Sequence, residues 1–205
     1  MPKIVDHEKY RRELLDRSFD LFAERGVSSV SMREIAEALG VSTGTLYHYF
    51  PDKDSLFAQL VQTKSERDAL IMVAEASVGK TPRERMEILL RYIDQHEAYF
   101  TNRVLVGLDY VRLHRSMTDA AREPIRMGAQ TFYEGIVYLF GGEDPALVTR
   151  VYSLIIGLLT SRLLTGDRTP MVAAIDGVER WLFSKPMNDS VTEIVPVQPS
   201  ESSTE

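Results

Sequence analysis

The chain has 205 residues, 44% of them hydrophobic and 26% charged, with no Cys and a formal net charge of −6. This length and balance predict one or two domains that bury a real core, and they exclude disorder throughout, a collagen or rod-like coiled coil, disulfide scaffolds, thiol catalysis and Cys-ligated metal sites. The acidic total argues at first sight against nucleic acid, but residues 187–205 hold Asp189, Glu193, Glu201 and Glu205 with no base, leaving −2 on the other 186 residues.

From the N-terminus, MPKIVDHEKYRRELL lacks the apolar core of a signal peptide. Leu15, Phe19 and Phe22 then fall at helical spacing, and Gly26 ends that segment. Ser31 opens S-M-R-E, a capping-box spelling with Glu34 three residues on. Ile35, Ala36 and Leu39 form a short apolar face closed by Gly40. Ser42 begins STGTLYHYF, which Pro51 closes, and Asp52 caps a fourth helix running to about Val78.

Thr81-Pro82 spells an N-cap followed by Pro at the first helical position. Behind it Met86, Leu90, Ile93 and Phe100 keep helical spacing. Ile125, Ala129, Phe132, Ile136 and Leu139 form a long amphipathic helix ended by Gly141-Gly142. Asp144-Pro145 starts a helix to about Leu164, and Thr169-Pro170 starts the last, to about Phe183. No stretch alternates long enough to read as a strand. The expectation is an all-α protein of about nine helices. Its most apolar run, Val151 to Leu164, reads as too short to span a bilayer. The expectation is therefore a soluble cytoplasmic protein with no membrane partner. Residues 187–205, rich in Ser, Thr, Pro and Val without periodicity, predict a disordered acidic tail.

Two short helices, Ser31–Leu39 and Ser42/Thr43–Tyr49, separated by Gly40-Val41, are a helix-turn-helix spelling. Ile35, Leu39, Val41, Leu46 and Phe50 can converge on Phe19 and Phe22, leaving Thr43, Gly44, Thr45, Tyr47, His48 and Tyr49 without an obvious inward duty. Across LFAERGVSSVSMREIAEALGVSTGTLYHYFPDKDSLF, the pieces F-x-x-x-G, S-M-R-E-I-A, A-L-G-V-S, G-T-L-Y-x-Y-F and D-K-D-S-L follow in order. From Arg11 to Val61 the sequence thereby resembles the DNA-binding domain of the TetR family of bacterial transcription regulators.

The resemblance implies that Thr43–Tyr49 enters the major groove, with Ser42 at its start and Gly44 allowing close approach of backbone to DNA. Thr43 and Thr45 would touch a thymine methyl or donate to base or phosphate. Tyr47 and His48 would meet phosphates or the sugar backbone, and Tyr49 either joins them or packs inside. Lys53 would meet a phosphate beside a helix N-terminus. Arg33 would reach a base edge, where arginine bonds guanine bidentately; its bland alternative is pairing with Glu34 or Glu37.

Residues 1–63 hold eight Lys/Arg against ten Asp/Glu. One such module binds weakly, so dimerisation on two half-sites follows. The implied division is a DNA-binding domain over 1–63, a ligand-binding and dimerisation domain over 64–186, and the tail.

In the body, Leu147, Val151, Leu154, Leu158 and Ser161 mark one stripe and Val148, Tyr152, Ile155 and Leu159 another, so this helix must bury two faces. Gly157 and Ser161 would let a partner helix approach closely, and the resemblance implies that Leu154, Leu158, Ile175, Val178 and Leu182 lie at a homodimer interface. Tyr92, His96, Tyr99, Phe100, Tyr110, His114, Phe132, Tyr133 and Tyr152 are candidates for a small-molecule effector pocket, or else ordinary core. His96 and His114, with Asp94, Glu97 and Asp109, match no metal-ligand spacing, so neither metal nor cofactor is expected. The functional expectation is an operator-binding dimeric regulator, a repressor released by a small apolar or amphipathic molecule. The alternative is an all-α small-molecule-binding protein or enzyme without DNA, although the sequence has no Gly-rich phosphate loop, HExxH or nucleophile elbow.

Overall fold

Local sequence signals set most helix ends in the computed structural model, which describes residues 6–114, 119–140 and 145–183. Among these residues there are nine helices and no strand: α1 His7–Arg25, α2 Met32–Leu39, α3 Thr43–Tyr49, α4 Lys53–Ala76, α5 Pro82–Gln95, α6 Glu97–Leu113, α7 Asp119–Phe140, α8 Pro145–Thr165 and α9 Ala173–Phe183. Both halves of the capping box at Ser31 form, the Ser31 hydroxyl accepting from the Glu34 amide at 3.3 Å and Glu34 accepting from the Ser31 amide at 2.8 Å. Gly40 ends α2 at φ +68°, a left-handed conformation that only glycine adopts without cost. Asp52 and Thr81 cap α4 and α5, and caps of this kind contribute about 1 kcal/mol each. Two boundaries differ from the sequence reading. The spacing from Met86 to Phe100 hides a break at His96, whose ring Nδ1 lies 2.9 Å from the Tyr92 carbonyl. At Thr169-Pro170 a turn intervenes, and α9 begins only at Ala173.

The core divides in two. One cluster joins α1, α2, α3 and the start of α4, and it recruits Val106 and Tyr110 from α6. The other joins the end of α4 with α5, Phe100 of α6 and α7–α9. Helix α4 serves both, with Leu56, Phe57 and Leu60 in the first and Met72 and Ala76 in the second. At 24 residues it is about 36 Å long and runs unbroken through the expected boundary at 63/64. Helix α7 crosses it closely at Gly128, where a Cβ would fall 2.6 Å from Val61 Cγ1 and 2.9 Å from Ser65 Oγ.

Helix α8 has the predicted bounds, but its apolar stretch is longer than the run from Val151 to Leu164. Ala146–Thr165, with a mean hydropathy of 1.5, meets the length and composition of a membrane span. Here one face of it packs into the second core, with Val148, Val151, Ile155 and Leu159 buried. Arg162, which interrupts its apolar run, is also buried and pairs with Asp94 at 2.6 Å and Glu97 at 2.8 Å. Leu154 and Leu158 are half-buried and Gly157 and Ser161 are exposed, so an apolar face stays open to a partner. Ile175 and Leu182 do not share it. Both are fully buried in the chain's own second core, while Val178 is half-buried. The expected tail lies outside the described residues.

Candidate nucleic-acid interface and effector cavity

Helix α3 is anchored from one side only. Leu46 is buried in the first core together with Phe50 behind it, whereas Thr43, Gly44, Tyr47 and His48 are exposed and share the opposite face. Ser42 caps the helix: its hydroxyl accepts from the Thr45 amide at 2.9 Å and lies 2.7 Å from the Thr45 hydroxyl. At Gly44 a Cβ would meet only the Ser42 hydroxyl, at 3.8 Å. Internal packing therefore does not explain its missing side chain, and the backbone is open to close approach from outside.

Arg33 is exposed and makes no ion pair among the described residues. Its neighbour Glu34 is occupied elsewhere. Hydrogen bonds from the Ser31 hydroxyl and amide, against a smaller opposing effect of burial, hold the Glu34 carboxyl below its ordinary range. The bland pairing of Arg33 is thus not formed with Glu34 or Glu37.

Two residues expected at the interface have inward duties instead. Tyr49 is half-buried, its hydroxyl 2.9 Å from His7 Nδ1 and its ring edge-on to Tyr10 at 5.7 Å, so it ties α3 to the start of α1. The Lys53 ammonium donates to the Val27 carbonyl at 2.9 Å and the Val30 carbonyl at 3.0 Å. It satisfies two loop acceptors between α1 and α2, which leaves one of its three N–H groups for a phosphate.

The second feature is a cavity of about 260 Å³ between α4, α6, α7 and α8. Of the nine candidates, Phe100, Phe132 and Tyr152 line it. The other six do not, each for a physical reason. Tyr110 lies in the first core and stacks on Phe57. His114 is buried with Nε2 3.2 Å from Asp54. Tyr99 donates to both Asp68 oxygens, at 2.9 and 2.7 Å. Tyr92 and Tyr133 are half-buried at the edge of the second core, and His96 sits at the α5–α6 break with its ring against Tyr92. Sequence reasoning missed Ser65, Gly128 and above all Arg103. The available signal was an arginine on the apolar stripe Phe100, Val104, Gly107, Val111 of α6.

Beneath Arg103 lies a charged cluster. Burial pushes the Asp68 carboxyl above its ordinary range, against the opposing pull of Arg103, the Tyr99 hydroxyl, Arg67 and Lys64. Burial likewise raises the Tyr152 hydroxyl, partly offset by Arg103, so it keeps its proton. Lys64 pairs with Asp16 of α1 at 2.5 Å. Among the described residues no three His, Cys, Asp or Glu side chains gather into a metal site.

The wall containing Arg103 also grips the helix-turn-helix unit. Asp109 accepts from the Ser28 amide at 2.9 Å and from its hydroxyl, His114 meets Asp54, and Val106 belongs both to the cavity wall and to the first core.

Comparison with known proteins agrees with this geometry. Residues 14–60 match the family described as bacterial regulatory proteins, tetR family. Over 175 residues the chain is 30% identical to the HTH-type transcriptional regulator PksA of Bacillus subtilis (strain 168), covering 80% of this chain and 83% of that protein. Over 52 residues it is 44% identical to the HTH-type transcriptional repressor KstR2 of Rhodococcus jostii (strain RHA1), covering 25% of this chain and 26% of that protein. In fold it is similar to the transcriptional regulator FadR from Bacillus subtilis, solved in complex with stearoyl-CoA, with a TM-score of 0.64 at 20% identity over 84% of this chain and 97% of that one. It is also similar to reduced NemR from E. coli, with a TM-score of 0.65 at 18% identity over 83% of this chain and 96% of that one.

Proposed function

The chain belongs to the TetR family of bacterial transcriptional regulators, and from that membership we propose that it represses transcription as a homodimer on a palindromic operator until a small apolar or amphipathic effector fills its cavity. DNA binding through the helix-turn-helix is the family's activity. The docking face is Thr43, Gly44, Tyr47 and His48 of α3 with Arg33 of α2, the Ser42 and Thr45 hydroxyls flanking it. The division of labour is 1–63 for reading DNA and 64–186 for sensing and dimerising, with Phe19, Phe57, Leu60 and Val61 of the first lending a wall to the sensing cavity. The open face of α8, with Leu154, Gly157, Leu158 and Ser161, is the proposed partner surface. Regulation in the cytoplasm is the role, with no catalytic step.

One observation carries the effector response. The cavity borrows walls from both cores: Phe19, Phe57, Leu60 and Val61 come from the DNA-binding core, and Ile93, Ile136 and Leu159 from the other. A ligand wedged there separates α6 from α4 or forces them together. Asp109 and His114 then pass that displacement to the α1–α2 loop and to the start of α4. The ligand acts only through differential affinity for the bound and released arrangements.

Selection from random duplex DNA tests the reading. An enriched inverted repeat with half-sites about one helical turn apart is expected. Recovery of no sequence preference by the full-length dimer would overturn it.

A further inference from the structure

We infer that the effector is an amphipathic monoanion, a carboxylate on an apolar body, with its head taken by Arg103. The inference rests on the cavity being the effector site. Among the described residues Arg103 is the only charged lining group, and Ser65 and Tyr152 are the only other polar side chains.

Arg103 is largely buried yet incompletely bonded. Its Nη2 donates to Ser65 Oγ at 2.9 Å. Its Nε lies 3.7 Å from Asp68 Oδ2, an ion-pair distance too long for a hydrogen bond. Its Nη1 is buried with no acceptor among the described residues. An unpaired buried donor is costly, most of all on a charged group.

The nearby charges do not cancel. Asp16 and Asp68 face Lys64, Arg67 and Arg103, paired at 2.5 to 3.8 Å, which leaves one positive charge over. Asp68 does not complete the guanidinium's bonding: its oxygens take the Tyr99 hydroxyl at 2.9 and 2.7 Å and stay beyond hydrogen-bond distance of Arg103. A carboxylate supplies one compensating charge and two planar acceptors suited to a guanidinium. An alcohol supplies no charge, and an amine adds to the excess.

The test uses the full-length protein and a neutral apolar fluorophore, N-phenyl-1-naphthylamine, displaced by decanoate or decylamine below their micelle concentrations or by decan-1-ol below its solubility limit. Decanoate is expected to displace it about tenfold more tightly than decan-1-ol, the scale of a charge-assisted hydrogen bond, with decylamine weakest. Arg103→Gln should bring decanoate level with decan-1-ol. Equal displacement by acid and alcohol, or an Arg103→Gln protein that still prefers the acid, overturns the inference and leaves the cavity reading standing. Dye binding that ignores Ala129→Trp, which fills the cavity, overturns the cavity reading itself. The wild-type comparison decides the head group even where Arg103→Gln fails to fold.

Discussion

The ring of Tyr110 lies flat on the ring of Phe57, centroids 3.7 Å apart and planes 2° from parallel. One belongs to α6 of the body and the other to α4 inside the DNA-binding core. Asp109 and His114 grip the same unit on either side of Tyr110. This short stretch of α6 ties the cavity wall to the DNA-binding core.

Removing the ring should loosen that tie. Tyr110→Ala is expected to cost about 3–5 kcal/mol, the scale of deleting a buried aromatic, whereas Tyr110→Phe keeps the stack and most of the stability. Burial, helped by Asp54 and Asp52, pushes the Tyr110 hydroxyl up to about 12, so it stays protonated at working pH. Urea denaturation of the two variants compares them directly; equal losses would refute the role of the stack.

The Asp109–Ser28 contact should show itself as a pH dependence. Burial would raise the Asp109 carboxyl, but the Ser28 amide and hydroxyl, with Arg112, outweigh it and hold the group below its ordinary range. A carboxyl lowered in the folded state stabilises above its unfolded value of about 4 and loses that contribution as pH falls through the folded value. Asp109→Asn should therefore cost about 1–2 kcal/mol at pH 7, and the gap to wild type should close in acid. A gap that stays constant from neutral pH down to acid would contradict this.

Operator contacts should separate from fold contacts. Arg33→Ala is expected to weaken operator binding by about 1–3 kcal/mol, roughly 5- to 150-fold, and Tyr47→Phe by less, both with unchanged melting temperature. Lys53→Met should instead lower the melting temperature, because the Val27 and Val30 carbonyls lose their donor. Gel shifts and thermal melts on the same preparations distinguish the two classes. A Lys53→Met protein as stable as wild type would return that residue to the DNA.

Dimerisation should depend on α8 rather than on the buried residues of α9. Leu154→Asp with Leu158→Asp is expected to give folded monomers in sedimentation and to abolish operator binding. Ile175→Ala, which opens the internal core, should cost about 2–5 kcal/mol and leave the folded protein dimeric. Monomers from Ile175→Ala alone would relocate the interface.

What the sequence determined by itself is what short-range physics controls. The Ser31 capping box, the Gly40 stop, the Asp52 and Thr81-Pro82 caps and the 3.6-residue stripes each act within a few residues, so the helices and the helix-turn-helix were legible before any fold. Partner choice was not. Lys53 bonds a carbonyl 26 residues away, and Asp109 meets Ser28 across 81 residues. Short-range pattern therefore leaves Tyr49 free to face DNA or pack inside, places Lys53 outward, and cannot tell pocket from core for Tyr110 and His114. The same limit hid Arg103: an arginine on an apolar stripe becomes a binding group only when four helices enclose it and leave its Nη1 without an acceptor. Ile175 and Leu182 show the converse, since periodicity gives a helix its apolar face, and only the packing of its neighbours decides whether that face turns to the chain's own core or to a partner.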